Sequence, residues 1–216
     1  MLRDAHSLRS RAPQHDTLLL ATSNQGKIVE MKECLSGLPL TLLTLQDLPS
    51  LPPLPDETGA SHTENAILKA QYYFDHAKIP TLAEDSGIHI EALEGELGIE
   101  TRRWGAGPTA SDAEWIEYFL ERMRREKNKR AFFHCVVAYC DDAGVKTFEG
   151  KCEGMITDTL EASYLPGLPI SACFKPNGFS SVFSALSIEQ KNSTSHRGRA
   201  MGRVREFLEK KEWGSV

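Results

Sequence analysis

Long apolar runs are missing from this chain. None approaches the roughly 18 residues a membrane-crossing helix requires, so no membrane span is expected. Positive charge is not in surplus: 25 Lys and Arg stand against 30 Asp and Glu, a formal net charge of −5. Bulk attraction to nucleic acid or to an anionic membrane is therefore not expected. The five cysteines, Cys34, Cys135, Cys140, Cys152 and Cys173, are odd in number and form no C-x-x-C pair or His/Cys cluster with zinc spacing. They read as reduced core or strand residues of a cytoplasmic protein. Internal repeats and low-complexity segments are absent. The opening MLRDAHSLRSRAPQHD lacks the apolar stretch of a secretory signal. Residues 1–16 are expected to be a flexible tail and 17–216 a single domain. The apolar content is 40% over 216 residues, enough for one sizeable core.

The pattern along the chain alternates strands and helices. An apolar strand over 18–21 runs into Thr22-Ser23-Asn24-Gln25-Gly26-Lys27. A helix follows with Ile28, Met31 and Leu35 on one face. A second strand is expected over 40–45, then a loop rich in proline and acid over 46–59. Ser61-x-x-Glu64 is a capping-box pattern opening a helix whose face carries Ala66, Ile67, Ala70, Tyr73, Phe74 and Ala77. Residues 81–83 read as a short strand broken at Glu84-Asp85-Ser86-Gly87, with a further strand over 88–93. A long amphipathic helix is expected over 111–127. Strands over 130–140 and 145–157 flank Asp141-Asp142-Ala143-Gly144, a hairpin signal. A Pro/Gly-interrupted stretch, a strand over 182–186 and a last helix from Ser195 to about Lys210 complete the chain. The expected class is α/β with a mixed sheet.

Four groups of residues could do chemistry. Residues 22–27 set small polar side chains, a glycine and a lysine where a helix start presents free N–H groups, which suits phosphate. This is not a Walker A loop, since one glycine and the Ser/Thr after the lysine are lacking. A strand–turn–helix junction with an Asn or Ser cap accounts for the same residues. Glu84-Asp85 supplies two carboxylates beside a strand end, suited to a hard ion such as Mg²⁺. Asp-Ser-Gly is also ordinary turn chemistry. Lys191, His196 and Arg197 gather donors around a helix start, where a purely structural terminus would sooner carry acids, and a solvated basic face is the plain alternative. Glu57, Glu64 and Lys69 form the fourth group, for which solvated surface charge is the plain alternative. His134 and Cys135 are neighbours on a strand and so point to opposite faces, which excludes a dyad between them. Taken together, acids for a divalent ion, lysines for phosphates and a His-Arg pair for a base edge describe a nucleoside triphosphate site.

These residues occur in the order found in a known family. The pieces are ATSNQGK at 21–27, DETG at 56–59, ENAILKA at 64–70, EDSG at 84–87, RRWGAG at 102–107, AFFHCVVAY at 131–139 and EQKNSTSHRGRA at 189–200. The chain resembles the Ham1-like inosine triphosphate pyrophosphatase family. The resemblance implies a long curved mixed β-sheet flanked by helices, two lobes with a central cleft, and a homodimer. It implies hydrolysis of ITP, dITP and XTP to the monophosphate and pyrophosphate, by attack on the α-phosphorus with Mg²⁺ as cofactor, cleansing the nucleotide pool. Asp85 matches the catalytic position and a metal position, and Glu57 the other metal position. Whether Asp85 takes the water's proton or holds the metal is open at this level. Thr22, Ser23, Asn24, Gln25, Gly26, Lys27, Lys69, Ser86, Lys191, His196 and Arg197 match substrate positions, and Arg103 a basic position facing the phosphates. His196 and Arg197 would donate to the 6-oxo oxygen of the base, and the amino group of adenine would leave those donors unpaired.

The chain departs from the family at one place. The usual Gly-Phe-Gly-Tyr-Asp-Pro is replaced over 166–174 by PGLPISACF, with no aromatic or acid at the expected places. Phe174 and Trp104 are the alternative candidates for stacking on a base. Two rival readings are a nucleotide-binding sensor without turnover and a Maf-like pyrophosphatase acting on modified pyrimidine nucleotides. The metal acids speak against the first, and the Ser-His-Arg before the last helix against the second.

Overall fold

The computed structural model describes residues 16–107 and 109–211. The expected tail lies outside the described residues except for Asp16, which is paired with Leu40 in the first strand. The described chain forms a mixed sheet of six strands flanked by five helices. In sequence order these are β1 (Asp16–Leu20), α1 (Gln25–Cys34), β2 (Leu40–Thr44), α2 (His62–Ala77), β3 (Thr81–Ile90), α3 (Asp112–Arg124), β4 (Arg130–Asp141), β5 (Gly144–Ile156), β6 (Phe174–Pro176), α4 (Ile188–Thr194) and α5 (His196–Lys210). The spatial order is β2-β1-β3-β4-β5-β6. β1 is parallel to β2 and to β3, and the remaining pairs are antiparallel.

Strand alternation divides β1 between two cores. Leu18 and Leu20 face Met31 of α1, Leu35 just after it, and Ala200, Met201, Val204 and Leu208 of α5. Leu19 faces Ala66, Ala70, Tyr73 and Phe74 of α2. A third cluster sets Trp115, Ile116, Phe119 and Met123 of α3 against Ile88 and Ile90 of β3 and against Phe174 and Phe183. The helix starts follow the expected local chemistry. Asn24, Ser61 and Ser111 each accept a backbone N–H of the first turn. The Ser61 motif closes slightly differently from a full capping box, because the Glu64 carboxylate takes the N–H of Ala60.

Two expectations are corrected. Residues 84–87 do not break the strand: β3 runs unbroken from Thr81 to Ile90. Its pairing with β4 continues through Glu84↔Val137, Asp85↔Val136 and Ser86↔Cys135. The acidic side chains are satisfied by distant cations, so the local turn preference is overridden. The strand expected over 182–186 is a 3₁₀ turn at Phe183–Ala185, and the last strand is instead β6, hydrogen-bonded along Gly154, Met155 and Ile156. β3 pairs with β1 only at Thr81 and Leu82. Beyond that point one edge of β3 is free of strand pairing, and the functional cavity opens there.

Candidate active site

A cavity of about 910 Å³ is lined by the α1 loop, the proline-rich loop, β3, the 166–171 loop and the α4–α5 junction. Its size is that of a small-molecule site. It gathers residues expected from sequence: Thr22, Ser23, Asn24, Lys27, Glu57, Lys69, Asp85, Ser86, Arg103, Lys191, His196 and Arg197 all stand on its wall. Gln25 and Gly26 do not. Gln25 is exposed, and Gly26 is buried where an added Cβ would lie 2.7 Å from Leu168 Cγ and 2.8 Å from the Pro166 carbonyl oxygen. The glycine therefore serves close packing of the 166–168 loop on α1. Asn24 reinforces that contact by donating from Nδ2 to Gly167 O at 3.0 Å, while its Oδ1 caps Lys27 N at 3.0 Å.

Alternation along β3 splits the two acids between opposite faces of the sheet. Glu84 is fully buried and pairs with Lys27 and with Arg197, whose Nε donates to Oε2 at 2.9 Å. Burial alone would raise this carboxyl, but Arg197 and Lys27 outweigh it and hold Glu84 well below the usual carboxylate range. Arg197 also donates to Glu30 and, from Nη2, to Ser86 Oγ at 3.2 Å. Lys191 reaches the same Glu30 at 3.2 Å. The Cys135 thiol donates to Glu84 Oε2 at 3.2 Å, and burial beside that carboxylate pushes its pKa well up.

Asp85 belongs to the other face. Its Oδ1 accepts from Lys69 Nζ at 2.8 Å and its Oδ2 lies 2.6 Å from His62 Nδ1. Lys69 also donates to Glu57 Oε1 at 2.7 Å, and Arg103 Nη1 donates to Glu57 Oε2 at 3.1 Å. Burial opposes ionisation of Asp85, but the His62 hydrogen bond and the Lys69 charge keep its pKa below the ordinary value. Burial likewise opposes the Lys69 charge, and Asp85 and Glu57 more than offset it. Glu57 and Asp85 thus converge on one cation. Gly87 brings a further wall close: an added Cβ there would lie 2.1 Å from Gly98 O.

His196 and Arg197, neighbours expected to read a base together, have different surroundings. The Arg197 Nε and both Nη atoms already hold protein acceptors. The His196 ring is stacked on Phe133 at 4.5 Å and 10°, with Phe183 at 6.0 Å, and its Nδ1 has no partner. Burial and the adjacent Arg197 charge hold its pKa well below the imidazole value, so the ring is neutral at pH 7. The aromatic candidates are also corrected: Phe174 is fully buried in the core and Trp104 hydrogen-bonds Glu96, and neither stands on the wall. The aromatic wall residues are Tyr73, Trp115, Phe133 and Phe183, with Leu168 and Ile170 also on the wall.

Sequence reasoning missed Glu30 and His62. Both carried a signal. Glu30 follows Lys27 by three residues on α1, and His62 precedes Lys69 by seven on α2, so each shares a helix face with a residue already singled out. No helix among the described residues is long and apolar enough to cross a membrane. The cysteines are free, Cys34 half-buried and the others buried.

The chain is similar to known proteins over most of its length. A dITP/XTP pyrophosphatase of Leptospira interrogans is 36% identical over 194 residues, covering 90% of this chain and 98% of that protein. One of Thermus thermophilus is 37% identical over 187 residues, covering 85% and 87%. The structure of a HAM1 protein from Coxiella burnetii superposes with a TM-score of 0.76 at 30% identity, covering 91% of this chain and 100% of that one. The sequence profile of the Ham1 family matches residues 18–207, and the chain belongs to that family.

Proposed function

We propose that this protein hydrolyses non-canonical purine nucleoside triphosphates, ITP, dITP and XTP among them, to the monophosphate and pyrophosphate. The observation that carries the reading is one cavity holding two unlike halves. Its charged half has Lys27, Lys69, Arg103 and Lys191 held in ion pairs with Glu84, Asp85, Glu57 and Glu30. Its apolar half has Phe133, Phe183, Trp115, Leu168 and the neutral His196. A triphosphate chain suits the first and a purine the second. The names of the Leptospira and Thermus relatives point the same way.

The donor set at Glu57 and Asp85 fits Mg²⁺. Both carboxylates aim at one point, and among the described residues no group of three or more His, Cys, Asp or Glu forms an all-protein cage. Mg²⁺ takes one or two carboxylates and completes its shell with water and phosphate oxygens. Glu57 and Asp85 would hold the ion, which when bound stabilises charge developing on the phosphates and acidifies water. The depressed pKa of Asp85 favours the ligand role, because a strong general base has a pKa nearer the working pH. Lys27 and Lys191 bind phosphate oxygens, with the Thr22–Asn24 turn beside them. The neutral His196 ring stands on the wall at the base side, and Phe133 buttresses that ring. In this reading Arg197 keeps Glu84 and Glu30 in place and does not itself read the base. A cytoplasmic homodimer accompanies the family resemblance, and light scattering of the purified chain tests the dimer.

Pyrophosphate release over ITP, XTP, GTP, ATP and dUTP, with Mg²⁺ and with excess chelator, tests the proposal. ITP and XTP should lead the panel and the chelator should stop turnover. Binding without release would favour a sensor, and a lead by dUTP would overturn the purine reading.

A further inference from the structure

Asp85 is gripped from two sides, and only one of them faces the cavity. Oδ1 takes Lys69 on the cavity wall, while Oδ2 takes Nδ1 of His62 at 2.6 Å. His62 opens α2, is buried, and is not on the wall. An ionised carboxylate only accepts, so Nδ1 carries the hydrogen of this bond. The other ring nitrogen, Nε2, is buried without a partner. An orphaned buried polar atom is unfavourable, and an apolar side chain would fill the same space without one. Packing holds the ring on its other sides. His89 meets it edge-on at 5.7 Å and 85°, and His134 at 5.5 Å and 75°. His89 is itself stacked on Phe132 at 4.6 Å and 7°. The direction of the Nδ1–H is therefore set by these packed rings and imposed on the carboxylate.

We infer that His62 is a positioning residue for the reaction. It touches no substrate, and it fixes the Asp85 carboxylate so that Oδ1 is presented to the cavity. The inference rests on the role given to Asp85 above. Without the Nδ1–H, the carboxylate is free to turn both oxygens onto Lys69, which misplaces Oδ1 and engages the cation more fully. Loss of a supporting hydrogen bond of this kind lowers activity by about 10–100-fold.

The test uses the full chain, ITP and Mg²⁺, and reads kcat, KM and Tm. His62→Phe and His62→Leu remove the donor and fill the space, and either suffices if it folds. His62→Asn returns an N–H at the same number of bonds from the backbone. The apolar variants should lose about 10–100-fold in kcat with KM within a few-fold and Tm held or raised. His62→Asn should recover most of that loss. In an Asp85→Asn background, His62→Phe should lower kcat little further. Parental kcat in a folded apolar variant overturns the inference, and so does an Asn variant as slow as the apolar ones. Equal loss with and without the Asp85 carboxylate also overturns it, since His62 would then act elsewhere. Parental activity in Asp85→Asn alone would remove the premise, a failure distinct from the others because it appears with His62 intact.

Discussion

Glu84 and Asp85 are consecutive residues whose carboxylates belong to separate networks on opposite faces of β3. Glu84 answers to Lys27 and Arg197, and Asp85 to Lys69 and His62. Both nevertheless stand on the wall of one cavity, because β3 has no strand partner on that edge beyond Leu82. The pair therefore does not act as two adjacent ligands of one ion. Asp85 shares the Lys69 ammonium with Glu57, and Glu84 pairs with Lys27 and Arg197 on the far side.

Asp85→Asn should keep the fold and lower ITP hydrolysis by about 10²–10³, on the order of 3–4 kcal/mol of transition-state stabilisation. Pyrophosphate release by the purified variant checks this beside its Tm. A parental rate would move the catalytic assignment away from Asp85.

Arg197→Ala should behave as a stability variant. It leaves the buried Glu84 with Lys27 alone among its ion-pair partners, and breaking a buried pair costs about 3–5 kcal/mol. Denaturant unfolding should show the loss, and ITP and ATP hydrolysis should fall by similar factors. A selective loss of ITP turnover in a protein of undiminished stability would instead give Arg197 to the base. Arg197→Lys should recover little, because one ammonium cannot replace a fork that bridges Glu84, Glu30 and Ser86.

His196 predicts a pH effect on stability. Its folded pKa lies well below the ordinary 6.5, so the unfolded state binds the extra proton. The stabilisation is complete above about 6.5 and is lost as the pH falls below that toward the folded value, at up to about 1.4 kcal/mol per pH unit. His196→Phe keeps the stack on Phe133 and should flatten this limb in melts taken between pH 7 and the onset of carboxylate titration. The same variant should lower the ITP/ATP ratio, since the imidazole's hydrogen-bonding capacity on the wall is gone. Parallel pH–stability curves for the two proteins would count against a buried neutral His196.

Gly26→Ala should loosen the 166–168 loop, because the new methyl meets Leu168 and the Pro166 carbonyl below 3 Å. Overpacking of this kind costs about 1–3 kcal/mol. A lower Tm with a raised KM for ITP is the expected pair of results, and an unchanged KM would mean that Leu168 does not shape the purine side.

Attack at the α-phosphorus places the water oxygen in the monophosphate. Hydrolysis in ¹⁸O-labelled water, followed by mass spectrometry of both products, should find the label there. Label in pyrophosphate would mean attack at the β-phosphorus.

Local chemistry alone determined much of this molecule. The apolar periodicity and Ser/Asn caps of α1, α2, α3 and α5, and the hairpin of β4 and β5, depend on residues within a few positions of one another, so they are legible along the chain. The motif residues named their chemistry for the same reason: a lysine at a helix start and a carboxylate beside Ser-Gly carry it wherever they fold. Only tertiary structure decided which of them meet. Glu84-Asp85-Ser86-Gly87 reads locally as a turn, and becomes continuous strand because β4 pairs along it and because Arg197, 113 residues away, satisfies Glu84. The identical reading given to His196 and Arg197 divided because packing stacked one ring on Phe133 and turned the other side chain into an ion-pair network. His62 gained its part through Asp85, 23 residues on, and its packing partners His89 and His134 arrive from two strands. Such partnerships are made by the approach of distant segments, and no short-range pattern encodes them.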